Sequence, residues 1–175
     1  HIRWLSLDIA LGGVIFLNFI GDQLNVEVPI AVSSALAVCI WLIYSVDHQR
    51  DVRLKSHQKG ARRIFHKKNK KVIIRMALLV GLLGLVLLFF LPLALVQWGL
   101  LVALICFGYL MLSARLSSLL VKEVIVALLY GGGVFLFPFI QVDQLEGIHG
   151  LLSIQLALLA FVNIVLISTF ELEED

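Results

Sequence analysis

The chain has 175 residues, of which 61% are hydrophobic and only 15% are charged, and its mean hydropathy is +1.01. Soluble domains are about 45–50% apolar and about 25% charged, so the composition predicts an integral membrane protein. The net charge of +2 at pH 7 is too small to favour binding of nucleic acid. Cys39 and Cys106 lie inside apolar runs without a Cys-x-x-Cys spacing, which argues against a disulfide framework or a zinc site.

Six stretches of the sequence approach the length and apolarity needed to cross a membrane. A helix needs roughly 20 apolar residues for this, with about 17–25 as the working range. Lipid requires every backbone polar group to be bonded within the span, and none of the stretches alternates as a barrel strand does. We therefore predict an all-α, polytopic transmembrane helix bundle. In chain order the predicted spans are Trp4–Ile20, Pro29–Tyr44, Val72–Leu91, Leu93–Ser113, Val121–Ile140 and Gly150–Phe170.

The basic residues are concentrated between the second and third spans. Eleven of the fourteen Lys and Arg residues fall between Arg50 and Arg75. The positive-inside rule therefore predicts that residues 47–71 form a polar, basic loop in the cytoplasm, with anionic lipid as a partner. Counting crossings from there places the links Gly21–Val28 and Gln141–His149, which contain no Lys or Arg, on the opposite side.

The two ends of the sequence carry no signal of their own. The chain begins with His1 rather than Met, and the segment after it lacks the basic region and cleavage site of a signal peptide. Asp175 follows the last apolar run by only a few positions. We expect the sequence to be part of a longer chain.

Acidic pairs stand at the ends of the second and sixth spans. Asp47 and Asp51 are four residues apart, so they project together if the second helix continues past Tyr44. The same spacing returns in Glu171 and Asp175, and crossing parity places both pairs on the cytoplasmic side. Mg²⁺ commonly binds one or two carboxylates together with substrate phosphates, so the pairs favour a Mg²⁺ site. The plainer alternative is that polar residues simply end these helices.

Cationic side chains near the acidic pairs are candidates for binding phosphate. Lys122 opens the fifth span on the predicted cytoplasmic side and could bind a phosphate as a point charge, or simply snorkel to water. Arg62 and Arg63 in the basic segment could add bidentate phosphate contacts.

Other polar residues within the spans have a structural interpretation. Asn18 and Asn163 are candidates for interhelical hydrogen bonds, and Gly131–Gly133 for close helix packing or a local kink. Asp8 lies near the cytoplasmic start of the first span. We place none of these in the predicted site.

Taken together, these motifs resemble those of the UbiA superfamily of intramembrane prenyltransferases. In that family an N-D-x-x-D-x-x-x-D motif, or a shorter variant, ends the second helix, a D-x-x-x-D motif ends the sixth, and a lysine lies near the start of the fifth. Nine helices surround a lipid-accessible cavity. The stretch "YSVDHQRD", followed by "RRIFH", is similar to a divergent bacterial branch. The resemblance covers residues 1–175 as one domain containing helices one to six.

The resemblance implies an activity and a set of ligands. Asp47, Asp51, Glu171 and Asp175 would hold Mg²⁺ against the diphosphate of a polyprenyl donor, and Lys122 would contact the diphosphate. A prenyl group would pass to a lipophilic, for instance aromatic, acceptor, as in lipid or quinone biosynthesis in a bacterial inner membrane.

The sequence also departs from the family's pattern. Lys55 stands where the first motif often has a third acid, and Ser118 stands where a tyrosine usually precedes the lysine by four residues.

Two other functions are compatible with a membrane bundle. A non-catalytic or transporter-like protein of the same fold remains the alternative, although transporters typically carry discontinuous helices and mid-membrane polar residues, whereas the charges here gather at one interface. A CDP-alcohol phosphotransferase is disfavoured, because the D-x-x-D-G-x-x-A-R signature is absent from the sequence.

Overall fold

A computed structural model describes residues 5–54, 61–112, 119–142, 144 and 146–174, with the backbone alone for 51–54, 61–63, 119–120 and 167–174. Within these ranges the chain is predominantly helical and contains no β-strand, which confirms the predicted fold class. The helices are α1 (Leu7–Gln23), α2 (Ile30–Leu54), α3 (Ala61–Lys68), α4 (Lys70–Leu87), α5 (Leu93–Leu112), α6 (Leu119–Gln141) and α7 (Gly147–Glu174), with a 3₁₀ turn at Leu88–Phe90.

At least five segments are long and apolar enough to span a membrane, so the protein is an integral membrane protein. Among the described residues these segments are Ile30–Arg50, Lys70–Phe90, Leu93–Leu112, Val121–Gln141 and Gly147–Leu166. They match five of the six predicted spans. The first predicted span corresponds to α1, which has 17 residues and is therefore about 25 Å long, at the lower limit for a spanning helix.

The outer surface of the bundle is apolar. Leu78, Leu79 and Leu82 on α4 are exposed, and Phe89 in the 3₁₀ turn is 89% exposed. A continuous apolar surface of this kind marks contact with lipid or with another protein. Here it continues along helices of membrane-spanning length, which indicates contact with lipid.

The centre of the bundle is formed by α1, α2 and α6, which all contact one another. Around them, α3 and α4 lie against α2, and α5 and α7 lie against α6. One core cluster joins Leu17 of α1 to Val32 of α2 and Val134 of α6. A second joins Ala10 of α1 to Trp41 of α2.

Contacts at two depths fix the register of the three central helices. A Cβ added to Gly13 would collide with the side chain of Ile40, and one added to Gly12 would lie 3.4 Å from the Tyr130 hydroxyl. About two turns away, Ser6 Oγ of α1 lies 2.9 Å from His48 Nε2 of α2. The start of α1 and the end of α2 therefore lie at the same end of the bundle.

The remaining helices extend this arrangement. Leu17 of α1 packs in one cluster with Val134 and Phe137 of α6, so α6 runs parallel to α1. A Cβ added to Gly131 would lie 3.7 Å from that of Ala157 on α7, and the short connection between α6 and α7 makes these two helices antiparallel. The end of α2, the start of α6 and the end of α7 therefore share one end of the bundle, which we call the polar end.

The described residues of the predicted loop at 47–71 are largely helical, which corrects that part of the sequence analysis; residues 55–60 lie outside the described ranges. α2 continues to Leu54 instead of stopping at Tyr44, α3 occupies Ala61–Lys68, and α4 begins at Lys70. The segment 45–54 has neither Gly nor Pro to end a helix, and its first turns pack against α3. Asp47 and Asp51 consequently lie one turn apart on a single helix, as the predicted pair requires.

One of the structural expectations for polar and small residues is confirmed. Asn18 Nδ2 donates to the Val14 carbonyl at 2.8 Å and to Ser33 Oγ of α2 at 3.3 Å, which is an interhelical hydrogen bond. A Cβ on Gly131 or Gly133 would make only ordinary van der Waals contacts, with Ala157 and Leu36 respectively, and one on Gly132 would meet nothing within 4 Å, so the helix packing there does not require glycine.

We expect Gly21→Ala to destabilise the connection between α1 and α2. The Gly21 carbonyl accepts a hydrogen bond from the Val26 amide at 2.8 Å, and a Cβ on Gly21 would lie 2.8 Å from the Val26 carbonyl oxygen. Because backbone must move to relieve this clash, the free energy of unfolding should fall by about 1–3 kcal/mol. Reversible unfolding of the purified protein in mixed micelles, followed by circular dichroism, measures the change.

Gly81→Ala is the matched control. A Cβ there meets nothing within 4 Å. Replacing a mid-helix glycine with alanine should therefore raise the free energy of unfolding by about 0.5–1 kcal/mol. Equal stability changes in the two variants would show that the α1–α2 connection tolerates a side chain.

Candidate functional site

Two of the predicted site residues have described side chains, and both belong to the polar end. Asp47 is half-buried near the end of α2, and Lys122 is half-buried in the first turn of α6. Since α2 and α6 contact each other, the fold brings the helices that carry them together, as crossing parity predicts.

For the other predicted site residues the structure gives at most a backbone position. Asp51 lies on α2, Arg62 and Arg63 lie on α3, and Glu171 lies near the end of α7. All four positions belong to the polar end, and their side chains lie outside the described part of the structure. Asp175 lies outside the described residues altogether.

A pair of buried histidines, which the sequence analysis did not single out, joins α1, α2 and α3 at this end. His48 is 8% exposed and His66 is 2% exposed, and their ring centroids are 5.2 Å apart at 74°. His48 bonds to Ser6, while Gln49 Nε2 lies 3.2 Å from His66 Nδ1. In the arrangement where the Gln49 amide donates, His66 Nδ1 accepts, and its ring proton lies on Nε2.

This pair fixes α3 against the turn of α2 that carries Asp47. A buried polar group without a partner would cost about 1–3 kcal/mol, so the paired groups favour one docked position of α3. The sequence offers only a weak signal for this pair. His48 follows Tyr44 by one helical turn, and in the structure their rings meet edge to face. Histidine also occurs on solvated helix ends, so this spacing alone does not predict burial.

Phenol groups from three helices converge further inside the bundle. Tyr44 of α2 has Tyr130 of α6, Tyr109 of α5, Asp47 and Asp8 as its electrostatic neighbours. Tyr130 also lies beside Gly12 of α1. The interior next to Asp47 is therefore aromatic and polar, not purely aliphatic.

Glu123 is the most unusual residue of this end. Its side chain is 6% exposed, and its Oε1 is buried without a hydrogen-bond partner. It lies on the same face of α6 as Ala127, Tyr130 and Val134, because these residues follow it at intervals of four, seven and eleven. The sequence analysis did not single out Glu123.

The described carboxylates fit Mg²⁺ only if phosphate supplies further ligands. Among the residues with described positions, no group of three or more Asp, Glu, His or Cys residues could hold a metal ion. Mg²⁺ does not require such a cage, since it usually keeps several waters and binds one or two carboxylates plus phosphates. Asp47 and the unpartnered oxygen of Glu123 suit that second mode of binding.

A groove of about 600 Å³ lies elsewhere, between α5, α6 and α7. Its lining includes Trp98, Gly131, Phe135, Phe139 and Ser153, so it runs from mid-span toward the end opposite the polar end. None of the predicted site residues with a described side chain lines it. The groove has the volume and the apolar lining to hold a hydrocarbon chain, and Asp47 and Lys122 do not line it.

Comparison with known proteins gives no relative: no protein-family model, no curated protein and no solved structure matches this chain. The functional argument therefore depends on the residues of this chain and on their positions in the bundle.

Proposed function

We propose that the protein is a Mg²⁺-dependent intramembrane prenyltransferase that moves a prenyl group from a polyprenyl diphosphate to a lipophilic acceptor. The observation that carries the proposal is the common position of three helix ends. The end of α2 with Asp47 and Asp51, the start of α6 with Lys122 and the end of α7 with Glu171 all belong to the polar end. Separate sequence motifs thereby share one end of the bundle.

The chemistry of these residues suits a substrate with a charged head and an apolar tail. When bound, Mg²⁺ would offset the charge of the diphosphate and of the departing pyrophosphate. The Lys122 ammonium can donate to phosphate oxygens, and Arg62 and Arg63 on the adjoining α3 can add bidentate contacts. The apolar helices below exclude water, which would otherwise capture the allylic cation instead of the acceptor.

The basic surface that continues from α3 into α4 fits anionic lipid headgroups. Lys67, Lys68, Lys71 and Arg75 are exposed there. The sequence has no acidic residue between Asp51 and Glu123 that could neutralise them locally. Each such residue near an anionic leaflet contributes about 1 kcal/mol. This surface supports our assignment of the polar end to the cytoplasmic side of a bacterial inner membrane.

The test is an assay of the full-length protein in nanodiscs. A series of prenyl diphosphates of increasing chain length is supplied with an aromatic acceptor, and both released pyrophosphate and prenylated product are measured with Mg²⁺ or with EDTA. We expect pyrophosphate and product to appear together and only with Mg²⁺. Absence of both across the series would refute the proposal and leave a non-catalytic or transporter-like protein of the same fold.

A further inference from the structure

The starting point is the depth of Glu123 relative to Asp47. Gly13, Ile40 and Tyr130 meet at one level of the three central helices. Asp47 lies seven residues after Ile40 on α2, and Glu123 lies seven residues before Tyr130 on α6. Because α2 and α6 are antiparallel, both steps lead toward the polar end by about 10 Å. The two carboxylates therefore lie at the same depth.

The two residues also lie on the inner faces of their helices. Seven residues are close to two full turns, so Asp47 repeats the direction of Ile40, which packs on α1, and Glu123 repeats the direction of Tyr130, which also faces α1. Ser6 marks the same level on α1, through its hydrogen bond to His48 beside Asp47. Asp47 and Glu123 thus lie on the α1-facing sides of their helices.

Glu123 requires a partner that the described side chains do not provide. Its Oε1 is buried and without a hydrogen-bond partner. Lys122 does not supply one, because neighbouring residues on a helix point in different directions. A buried carboxylate oxygen is stabilised by a hydrogen-bond donor or by a cation. A metal ion at the polar end would supply that partner.

We propose that Glu123 is a ligand of the site's Mg²⁺, at the same depth of the polar end as Asp47. This inference rests on the proposed function, since substrate phosphates would complete the coordination. It gives the site an acid from α6 in addition to those from α2 and α7, in a chain where Lys55 occupies the position of a third acid in the first motif.

Metal binding, measured separately from catalysis, tests the inference. Mn²⁺ replaces Mg²⁺ as a paramagnetic probe, inorganic pyrophosphate replaces the substrate head group, and electron paramagnetic resonance of the full-length protein in nanodiscs reports bound Mn²⁺. We expect Glu123→Gln to weaken Mn²⁺ binding by at least about tenfold. Glu146→Gln, which changes an exposed glutamate at the opposite end, should bind as the parent does.

Thermal unfolding gives a second measurement that does not depend on turnover. Mn²⁺ with pyrophosphate should raise the melting temperature of the parent and of Glu146→Gln, but not that of Glu123→Gln. If the glutamine variant does not fold, Glu123→Met, which removes the unpartnered oxygen at similar length, takes its place.

The outcomes separate this inference from the proposed function. Equal Mn²⁺ affinity in the parent and in the Glu123 variant would overturn the inference even if the protein transfers prenyl groups. Failure of the parent to bind Mn²⁺ with pyrophosphate would overturn it as well. Loss of Mn²⁺ binding in the Glu123 variant supports the inference. It does so even if the parent protein binds diphosphate but transfers no prenyl group.

Discussion

Replacing Asp47 with Asn is expected to slow Mg²⁺-dependent release of pyrophosphate by about 10³-fold or more, which corresponds to about 4 kcal/mol of transition-state stabilisation. The amide has nearly the shape of the carboxylate but no charge, so it would weaken binding of the metal without leaving a cavity. Asp47 lies on the last turns of a long helix, and His48 beside it is held by Ser6. The backbone around the substitution should therefore stay in place.

Asp22→Asn is the matched control, because it makes the same chemical change on an exposed aspartate at the other end of the bundle. Rates at saturating Mg²⁺ and at limiting Mg²⁺ separate weakened metal binding from a slower chemical step. Asp51→Asn, Glu171→Gln and Asp175→Asn extend the series to the other predicted metal ligands. If all of these variants release pyrophosphate as fast as the parent, the predicted metal site is wrong.

Replacing Leu17 with Ala is expected to lower the free energy of unfolding by about 2–5 kcal/mol. Leu17 is 1% exposed and packs in the cluster that joins α1 to Val134 and Phe137 of α6. In a bilayer, burial of apolar surface does not by itself drive helices together, since lipid is equally apolar. The loss therefore comes from van der Waals contacts and from the cavity left behind.

Leu11→Ala on the same helix provides the comparison. Leu11 is 60% exposed on the outside of the bundle, so its truncation should change stability by no more than about 0.5 kcal/mol. Reversible unfolding in mixed micelles measures both variants under one set of conditions. Similar losses for the two would mean that α1 does not pack against α6 as described.

The two mutational effects report on different levels of the structure. Leu17→Ala tests whether α1 holds α6 in register, and Asp47→Asn tests whether the polar end that this register creates has the proposed chemistry. A stable protein with an inactive Asp47 variant would support both. A parent protein without activity, but with the expected loss on Leu17→Ala, would support the fold alone.

The sequence by itself determined the helical membrane fold and the spans that it shares with the structure. Long apolar runs in lipid have only one way to satisfy their backbone polar groups within each segment, so local composition is sufficient to predict helices. The sequence also predicted the shared end of the motif-bearing helices, since crossings must alternate, and the structure confirms that Asp47 and Lys122 belong to one end. The interhelical hydrogen bond of Asn18 was also predictable, because a polar amide within an apolar span needs a partner inside the bundle.

Only the tertiary structure decided which polar residues are buried at that end. The extension of α2 to Leu54 was hidden by its charged composition, because solvated helices carry the same residues as loops. The burial of His66 depends on the docking of α3 against α2, and the inward position of Glu123 depends on the register that close contacts at Gly12 and Gly13 impose on α1, α2 and α6. These contacts join residues far apart in the chain, so no local pattern around Glu123 determines whether its carboxylate faces lipid, water or the interior.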